Sequence, residues 1–266
     1  MSGTPTVPSG IDDYRKINRS AWAYLAAHGS DSSQPYQPDQ LAAAGQHLRA
    51  SGFLPNKGVG RVLVLGGGGG QQGPLFASMG YDVTVADLSP DQLRRDQDFA
   101  DQLGIDLECV ELDMLNLEFL YGRDFDLVHQ PISACYVPDV RLLYLQVAQV
   151  LRPGGWYDVE HWNPVHVQLR GCGEWVDSSY LVERPQLPGE PVVWHPDAPG
   201  DHTVVCWHFV HPLDRLIGGL CRAGFVVRQL AERTHGDPQA PPGSHEHLAA
   251  YVPPFLRMLA QRSWRP

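Results

Sequence analysis

The segment RVLVLGGGGGQQG, Arg61 to Gly73, most restricts the folds open to this chain. A β-branched and leucine run leads into five consecutive glycines, and apolar residues resume at Leu75. Five residues without side chains suit a flexible linker, or a turn across which a ligand lies against bare backbone. The flanks favour the turn, because a linker has no reason to follow a buried-strand pattern and precede a helix.

From Arg61 onward the chain alternates between the two periods. Residues 61–66 read as a buried strand, 73–80 as a short helix and 81–87 as a second strand. Residues 89–104 carry helix start and stop signals: Ser89, Pro90 at the first helical position, and Gly104. Strands follow at 105–113 and 125–130. Residues 139–155 place Val140, Leu143, Tyr144, Val147 and Leu151 at helical spacing before the break at Pro153-Gly154-Gly155. A fifth strand is predicted over 156–162. Strands joined by helical crossovers form a parallel sheet with helices on both faces, an α/β doubly wound architecture. Ligands of such sheets lie across the carboxyl ends of the strands, where the first strand-to-helix turn meets them. There the glycines let backbone approach the ligand closely.

Which nucleotide lies there is left open by these residues alone. Gly68, Gly70 and Gly73 satisfy the GxGxxG pattern, but five glycines in a row make that match cheap. Asp87 ends the second strand, where an acid accepts from ribose hydroxyls, as both a nicotinamide dinucleotide and S-adenosylmethionine require.

Composition excludes other partners. The formal net charge is −10 and the only lysines are Lys16 and Lys57, so no basic cluster exists to neutralise a nucleic-acid backbone. No apolar run reaches the roughly eighteen residues of a membrane helix, and MSGTPTVPSGIDDYRK has no basic-then-apolar signal pattern. A cytoplasmic location is expected. Cys109, Cys135, Cys172, Cys206 and Cys221 are scattered and predict reduced thiols, neither a disulfide framework nor a zinc ribbon. His161, His166, His195, His202, His208 and His211 invite a metal reading, but no pair has HxxxH or zinc-ligand spacing, and no metal is expected.

VLVLGGGGGQQG, VTVADLSPDQL, ELDMLNL, FDLVHQPISACYVPD and VLRPGGWY resemble, in order and spacing, the motifs of class I S-adenosylmethionine-dependent methyltransferases. The resemblance covers roughly residues 60–160. It implies a Rossmann-like seven-stranded sheet, mostly parallel, with an antiparallel last strand. The sixth and seventh strands then fall within 211–233 and 253–262. An N-terminal helical cap (1–60) precedes the cofactor-binding domain (61–266), which carries an insertion at 163–210. Rich in His, Trp and Pro, that insertion is expected to form a lid or substrate wall.

The resemblance also implies roles. Gly66, Gly67, Gly68 and Gly70 line the methionine part of S-adenosyl-L-methionine, Asp87 takes the ribose hydroxyls, and Leu88 packs on the adenine. Asp113 accepts from the adenine amino group, Met114 sits against the ring, and His129 lies beside the methionine end. The family's usual acid two residues before the first glycine is here Val64, so the carbonyl oxygen of Gln71 or Gln72 is expected to replace it.

Methyl transfer needs mainly alignment of the nucleophile, and at most a base for its proton. Candidates for catalysis are His129 and Tyr136, after the fourth strand, and Tyr14, closing from the cap. Each has a plain alternative: His129 bonded to backbone at a strand end, Tyr14 packed on the core. Glu160 and His161 end the fifth strand on opposite faces, so only one meets the ligand. Trp156, Tyr157, Trp162, Trp175 and Tyr180 suit either a cation cage or packing. The expected activity is methyl transfer to a small-molecule acceptor. The alternatives are cyclisation or elimination on the same sulfonium, a nicotinamide-dependent oxidoreductase, or a non-enzymatic sensor.

Overall fold

Val62, Leu63, Val64 and Leu65 of β1 (Arg61–Leu65) have no exposed surface, which places this strand in the middle of a sheet. In the computed structural model, residues 11–55, 60–169, 174–182, 191–194, 204–233 and 236–264 are described. β1 pairs in parallel with β2 (Asp82–Asp87) on one side and β4 (Phe125–Gln130) on the other. The sheet continues outward through β3 (Glu108–Glu111) beside β2, and through β5 (Leu151–Trp162) beside β4. Two C-terminal strands complete it, β10 (Phe225–Arg233) and β11 (Phe255–Arg262), giving seven strands in the order β10-β11-β5-β4-β1-β2-β3. Only β11 runs antiparallel. It lies inside the sheet between β5 and β10.

Strand alternation divides the core in two. Leu63, Leu65, Val128, Tyr157 and Val159 face α5 (Val140–Val150) and α6 (Leu213–Arg222). Val62, Val64, Val85 and Leu127 face α2 (Pro38–Ala50), α3 (Gln72–Ser78) and α4 (Pro90–Leu103). α1 (Ile11–His28) lies against α4, beyond the carboxyl ends of the strands. The strand order reverses between β1 and β4, and ligands of doubly wound sheets bind at such a switch point.

The structure departs from the sequence expectation at β5. The helix was expected to run to the break at Pro153-Gly154-Gly155 and the strand to start at Trp156, yet α5 ends at Val150 and β5 begins at once at Leu151. Arg152 precedes Pro153, which disfavours helical backbone there, and the pairing with β4 breaks register between Phe125 and Leu127 while the chain absorbs Pro153-Gly154-Gly155. α7 (His245–Tyr251), capped by Ser244, was not anticipated.

The described residues of the insertion form two strand pairs. The first, β6 (Trp175–Val176) with β7 (Ser179–Tyr180), packs on α7: Trp175 meets the His247 ring at 4.9 Å, and Tyr180 Oη lies 2.8 Å from His247 Nδ1. The second pairs β8 (Pro191–Trp194) with β9 (Cys206–Phe209). β9 seats α1: the Asn18 amide accepts from Trp207 N (2.7 Å) and donates to Trp207 O (3.1 Å), as a neighbouring strand would.

Candidate active site

The five glycines turn from β1 into α3 and lack side chains for two kinds of reason, backbone conformation and lack of space. Gly66, Gly68 and Gly70 adopt φ of 60°, 69° and 83°, a region costly for other residues. Gly67 has ordinary φ, but a Cβ there would lie 2.5 Å from Val64 Cγ1. The amides of Gly69 and Gly70 are held from α4, by Gln92 Oε1 at 2.7 Å and Asp96 Oδ1 at 2.9 Å. Burial raises the Asp96 carboxyl well above the usual carboxylate range, against the opposing bond from Gly70.

Above this turn and the neighbouring strand ends lies a cavity of about 340 Å³, within the size range of small-molecule sites. Its floor is Gly66, Gly67, Gly68, Asp87, Leu88, Asp113 and Met114. Its roof is one stripe of α1, Tyr14, Asn18 and Trp22, at the i, i+4, i+8 spacing of a helix face. The adjacent stripe clamps the helix down: Arg15 pairs with Asp113 at 2.5 Å and Arg19 with Glu111 at 2.6 Å. Arg95 and Gln92 of α4 tie the far end, bonding carbonyls at Ala26, Ser33 and Trp22.

Two polar groups in this cavity lack full satisfaction from the protein. Asp87 accepts from Ser89 N at 2.7 Å, yet burial outweighs the backbone bonds and raises its carboxyl to about 6. Ser89 Oγ is buried with no hydrogen-bond partner among the described residues. A ligand presenting hydroxyl donors beside Asp87 would correct the first deficit.

Most residues singled out from sequence line the cavity: Tyr14, Gly66, Gly67, Gly68, Gln71, Asp87, Leu88, Asp113, Met114 and Tyr136. Two do not. Gly70 is turned away, its carbonyl accepting from Tyr36 N at 3.1 Å and Pro35 occupying the space a Cβ would need. His129 lies within β4, not beyond it, and alternation sends its ring to the α3 side. There it packs 4.9 Å from Phe76 and holds Asp158 Oδ2 through Nδ1 at 2.8 Å. It is a buried sheet residue and not a base facing the ligand. Its neighbour Gln130 points to the opposite face and is buried behind the cavity lining, donating to Ser133 Oγ and Met114 Sδ, while Ser133 donates to Leu65 O. Tyr136 is also a poor base: burial raises its phenol well above the ordinary value, away from the neutral range that proton transfer favours.

Glu160, not His161, faces the cavity. His161 points to the other face, with Nε2 3.0 Å from Tyr144 Oη, and burial lowers it to about 3. With Cys135, His208 and His211 it surrounds a second cavity of only about 40 Å³. Among the described residues no group of three or more His, Cys, Asp or Glu is arranged to hold a metal. His195, His202 and Cys172 lie outside the described residues.

The insertion was expected to wall the acceptor. None of its described residues lines the cavity above the glycine turn. Trp175 and Tyr180 are occupied with α7, and the side chain of Trp194 lies outside the described residues. Among the described residues that side of the cavity is closed by α1, which β9 supports. The face Tyr14-Asn18-Trp22 was hard to read because its middle member is polar.

A sequence-family model described as a methyltransferase domain matches residues 62–155. Over 193 residues the chain is 36% identical to the uncharacterised methyltransferase YbaJ of Bacillus subtilis (strain 168), covering 69% of this chain and 72% of that one. The chain belongs to the class I S-adenosylmethionine-dependent methyltransferases. Solved structures agree in fold. An S-adenosylmethionine-dependent methyltransferase from Mesorhizobium loti superposes with TM-score 0.61 at 24% identity, over 84% of this chain and all of the other (100%). The 1,6-didemethyltoxoflavin N1-methyltransferase of Burkholderia thailandensis, solved with its substrate and S-adenosylhomocysteine, gives TM-score 0.58 at 16% identity, over 98% and 93%. The cofactor of this methyltransferase is therefore S-adenosylmethionine and not a nicotinamide dinucleotide. The cavity fits it, with bare backbone, a donor-poor carboxylate and the apolar side chains of Leu88 and Met114 in its lining. No helix among the described residues is long and apolar enough to cross a membrane.

Proposed function

We propose that this methyltransferase methylates a small molecule enclosed beneath α1. The observation that carries the reading is the roof: Tyr14, Asn18 and Trp22 close over the same cavity whose floor is the glycine turn and Asp87. A roofed cavity in an acidic chain suits a small acceptor better than a nucleic-acid strand. The Burkholderia fold neighbour is likewise a methyltransferase of a small molecule, 1,6-didemethyltoxoflavin.

Bound in this cavity, S-adenosylmethionine supplies a methyl group activated by its sulfonium. The chain's part is to hold and to align. Gly66, Gly67 and Gly68 offer backbone to the methionine end. Asp87 accepts from the ribose hydroxyls, Leu88 and Met114 sandwich the adenine, and Asp113 accepts from its amino group. Gln71 supplies the acceptor that Val64 cannot, since Val64 is fully buried under the turn. The Gln71 amide nitrogen already donates to Asp31 O (3.0 Å) and Gln34 O (2.9 Å), which turns Oε1 toward Gly68. Tyr14 and Tyr136 flank the acceptor as neutral rings, and no protein base is assigned.

The test is incubation with methyl-labelled S-adenosylmethionine and a deproteinised metabolite extract. Label in a small product with stoichiometric S-adenosylhomocysteine is expected. Methylthioadenosine as the product, or label confined to added nucleic acid or protein, would overturn the reading.

The Asp87 assignment also sets a pH dependence. Its carboxyl titrates near 6 in the free protein, and hydroxyl donors favour the carboxylate, so the bound value is lower. Binding then expels a proton at acid pH. Affinity for S-adenosylhomocysteine is expected to hold above pH 7 and to fall up to about tenfold per unit below roughly pH 6. Calorimetry across pH 5–8 checks this, and a flat profile would show that Asp87 meets no donors.

A further inference from the structure

The donor site leaves one charged group in the cavity unexplained. Glu160 stands near the carboxyl end of β5, three strand spacings from Asp87 across β2, β1, β4 and β5, a distance of about 14 Å. The sulfonium of the cofactor is one carbon beyond the sugar ring, so a ribose held by Asp87 leaves it over the β1 and β4 ends. The β5 end then lies past the transferable methyl, on the acceptor's side.

The Glu160 side chain is 12% exposed and is oriented by its neighbours. Arg233 brings one nitrogen, Nη1, to both carboxylate oxygens, at 2.9 and 3.1 Å. A carboxylate has about four acceptor positions, so this grip fixes its direction without exhausting it. Arg257, directly opposite on β11, is turned to Asp158, with Nε 2.8 Å from Oδ1 and Nη2 2.6 Å from Oδ2. The one cationic side chain among the residues lining the cavity, Arg19, is matched to Glu111. The cavity therefore shows an acceptor an oriented carboxylate, three aromatic side chains (Tyr14, Trp22 and Tyr136) and no cation without its own acid.

We propose that Glu160 is the residue that selects the methyl acceptor, taking a hydrogen bond from an N–H or O–H on a flat, uncharged molecule and repelling carboxylates and phosphates. The proposal rests on the methyltransferase reading of the cavity. Arg233 acts through Glu160 as a positioning residue. Its charge is masked while the carboxylate is present, which gives the proposal a signature that a structural salt bridge lacks. Removing the carboxylate's charge frees Arg233 and inverts the selectivity.

The experiment uses the full chain saturated with S-adenosylhomocysteine, and ligand-observed NMR titration with phenol, aniline and indole against benzoate and phenyl phosphate. In the wild type the neutral probes bind, with the anions at least tenfold weaker. Glu160→Gln lowers affinity for the neutral probes at least fivefold and raises it for benzoate at least fivefold. Its S-adenosylhomocysteine affinity, which also reports folding, stays within twofold. Arg233→Gln keeps the neutral preference and gains no benzoate binding, so it tests the same idea should Glu160→Gln fail to fold. The proposal is overturned if benzoate binds the wild type as well as phenol does, if no neutral probe binds, if Glu160→Gln binds benzoate no better than the wild type does, or if Arg233→Gln gains benzoate binding. Failure of the wild type to bind S-adenosylhomocysteine would instead overturn the donor-site reading beneath it.

Discussion

Replacing Asp87 with alanine is expected to weaken S-adenosylhomocysteine binding by about 1.5–3 kcal/mol, roughly ten- to 150-fold. Hydrogen bonds to a charged acceptor are the strong ones, and the cavity offers the ribose no second carboxylate in that position. Asp113 is engaged with Arg15 and with the amide of Leu115, and Glu111 with Arg19. The folded protein is not expected to suffer. Burial raises the Asp87 carboxyl to about 6, so above that pH the unliganded fold holds an ionised carboxylate at a desolvation cost that the unfolded chain does not bear. For an acid with a raised folded value, stability declines as pH rises from the unfolded value of about 3.9 toward 6. At pH 7.5 the alanine variant therefore melts no lower than the wild type while binding much less. Calorimetry and thermal unfolding on the same samples separate the two effects. Unchanged affinity would mean that the ribose is held elsewhere, and a large loss of melting temperature would make Asp87 a folding residue.

That opposition between fold and ligand explains what could be read from residues alone. The donor half was legible because its demands are local. A glycine turn, an acid at a strand end and a following helix cap are near neighbours in sequence, and Asp87, Leu88, Asp113 and Met114 all line the cavity. The acceptor half is assembled from distant segments. Asn18 meets Trp207 and Glu160 meets Arg233, contacts that no local periodicity encodes. His129 misled for a different reason. The strand was expected at its observed bounds, 125–130, but successive side chains of a strand point to opposite faces, so the histidine faces Phe76 while Gln130 points the other way, toward Ser133. The aromatic residues of the insertion suggested a wall because their true partner, the short helix α7, carried no strong signal of its own.

The histidine's actual surroundings lead to the largest stability effect expected in this chain. Asp158 is almost fully buried in β5, and it joins His129 of β4 to Arg257 of β11 across three adjacent strands. Burial alone would raise its carboxyl, but the bonds from Arg257 and His129 outweigh that and hold it below the usual carboxylate range. Phe53 closes the far side, with the Arg257 guanidinium 4.6 Å from its ring centroid. Replacing Asp158 with alanine would leave a buried guanidinium with no counter-charge, and breaking one partner of a buried pair costs about 3–5 kcal/mol. Urea unfolding at pH 7.5 is the measurement. A folded acid with a depressed value contributes stability that is present above about pH 3.9 and is lost as pH falls through the folded value. The variant should accordingly lose part of the wild type's acid-side decline as well as its plateau stability. Asp158→Asn keeps the shape but not the charge, so it should recover only part of the loss. If alanine cost less than about 1 kcal/mol, Arg257 would have found another acid. Glu160, its register partner two residues along β5, is the nearest candidate, and the acceptor end of the cavity would then be rearranged together with the core.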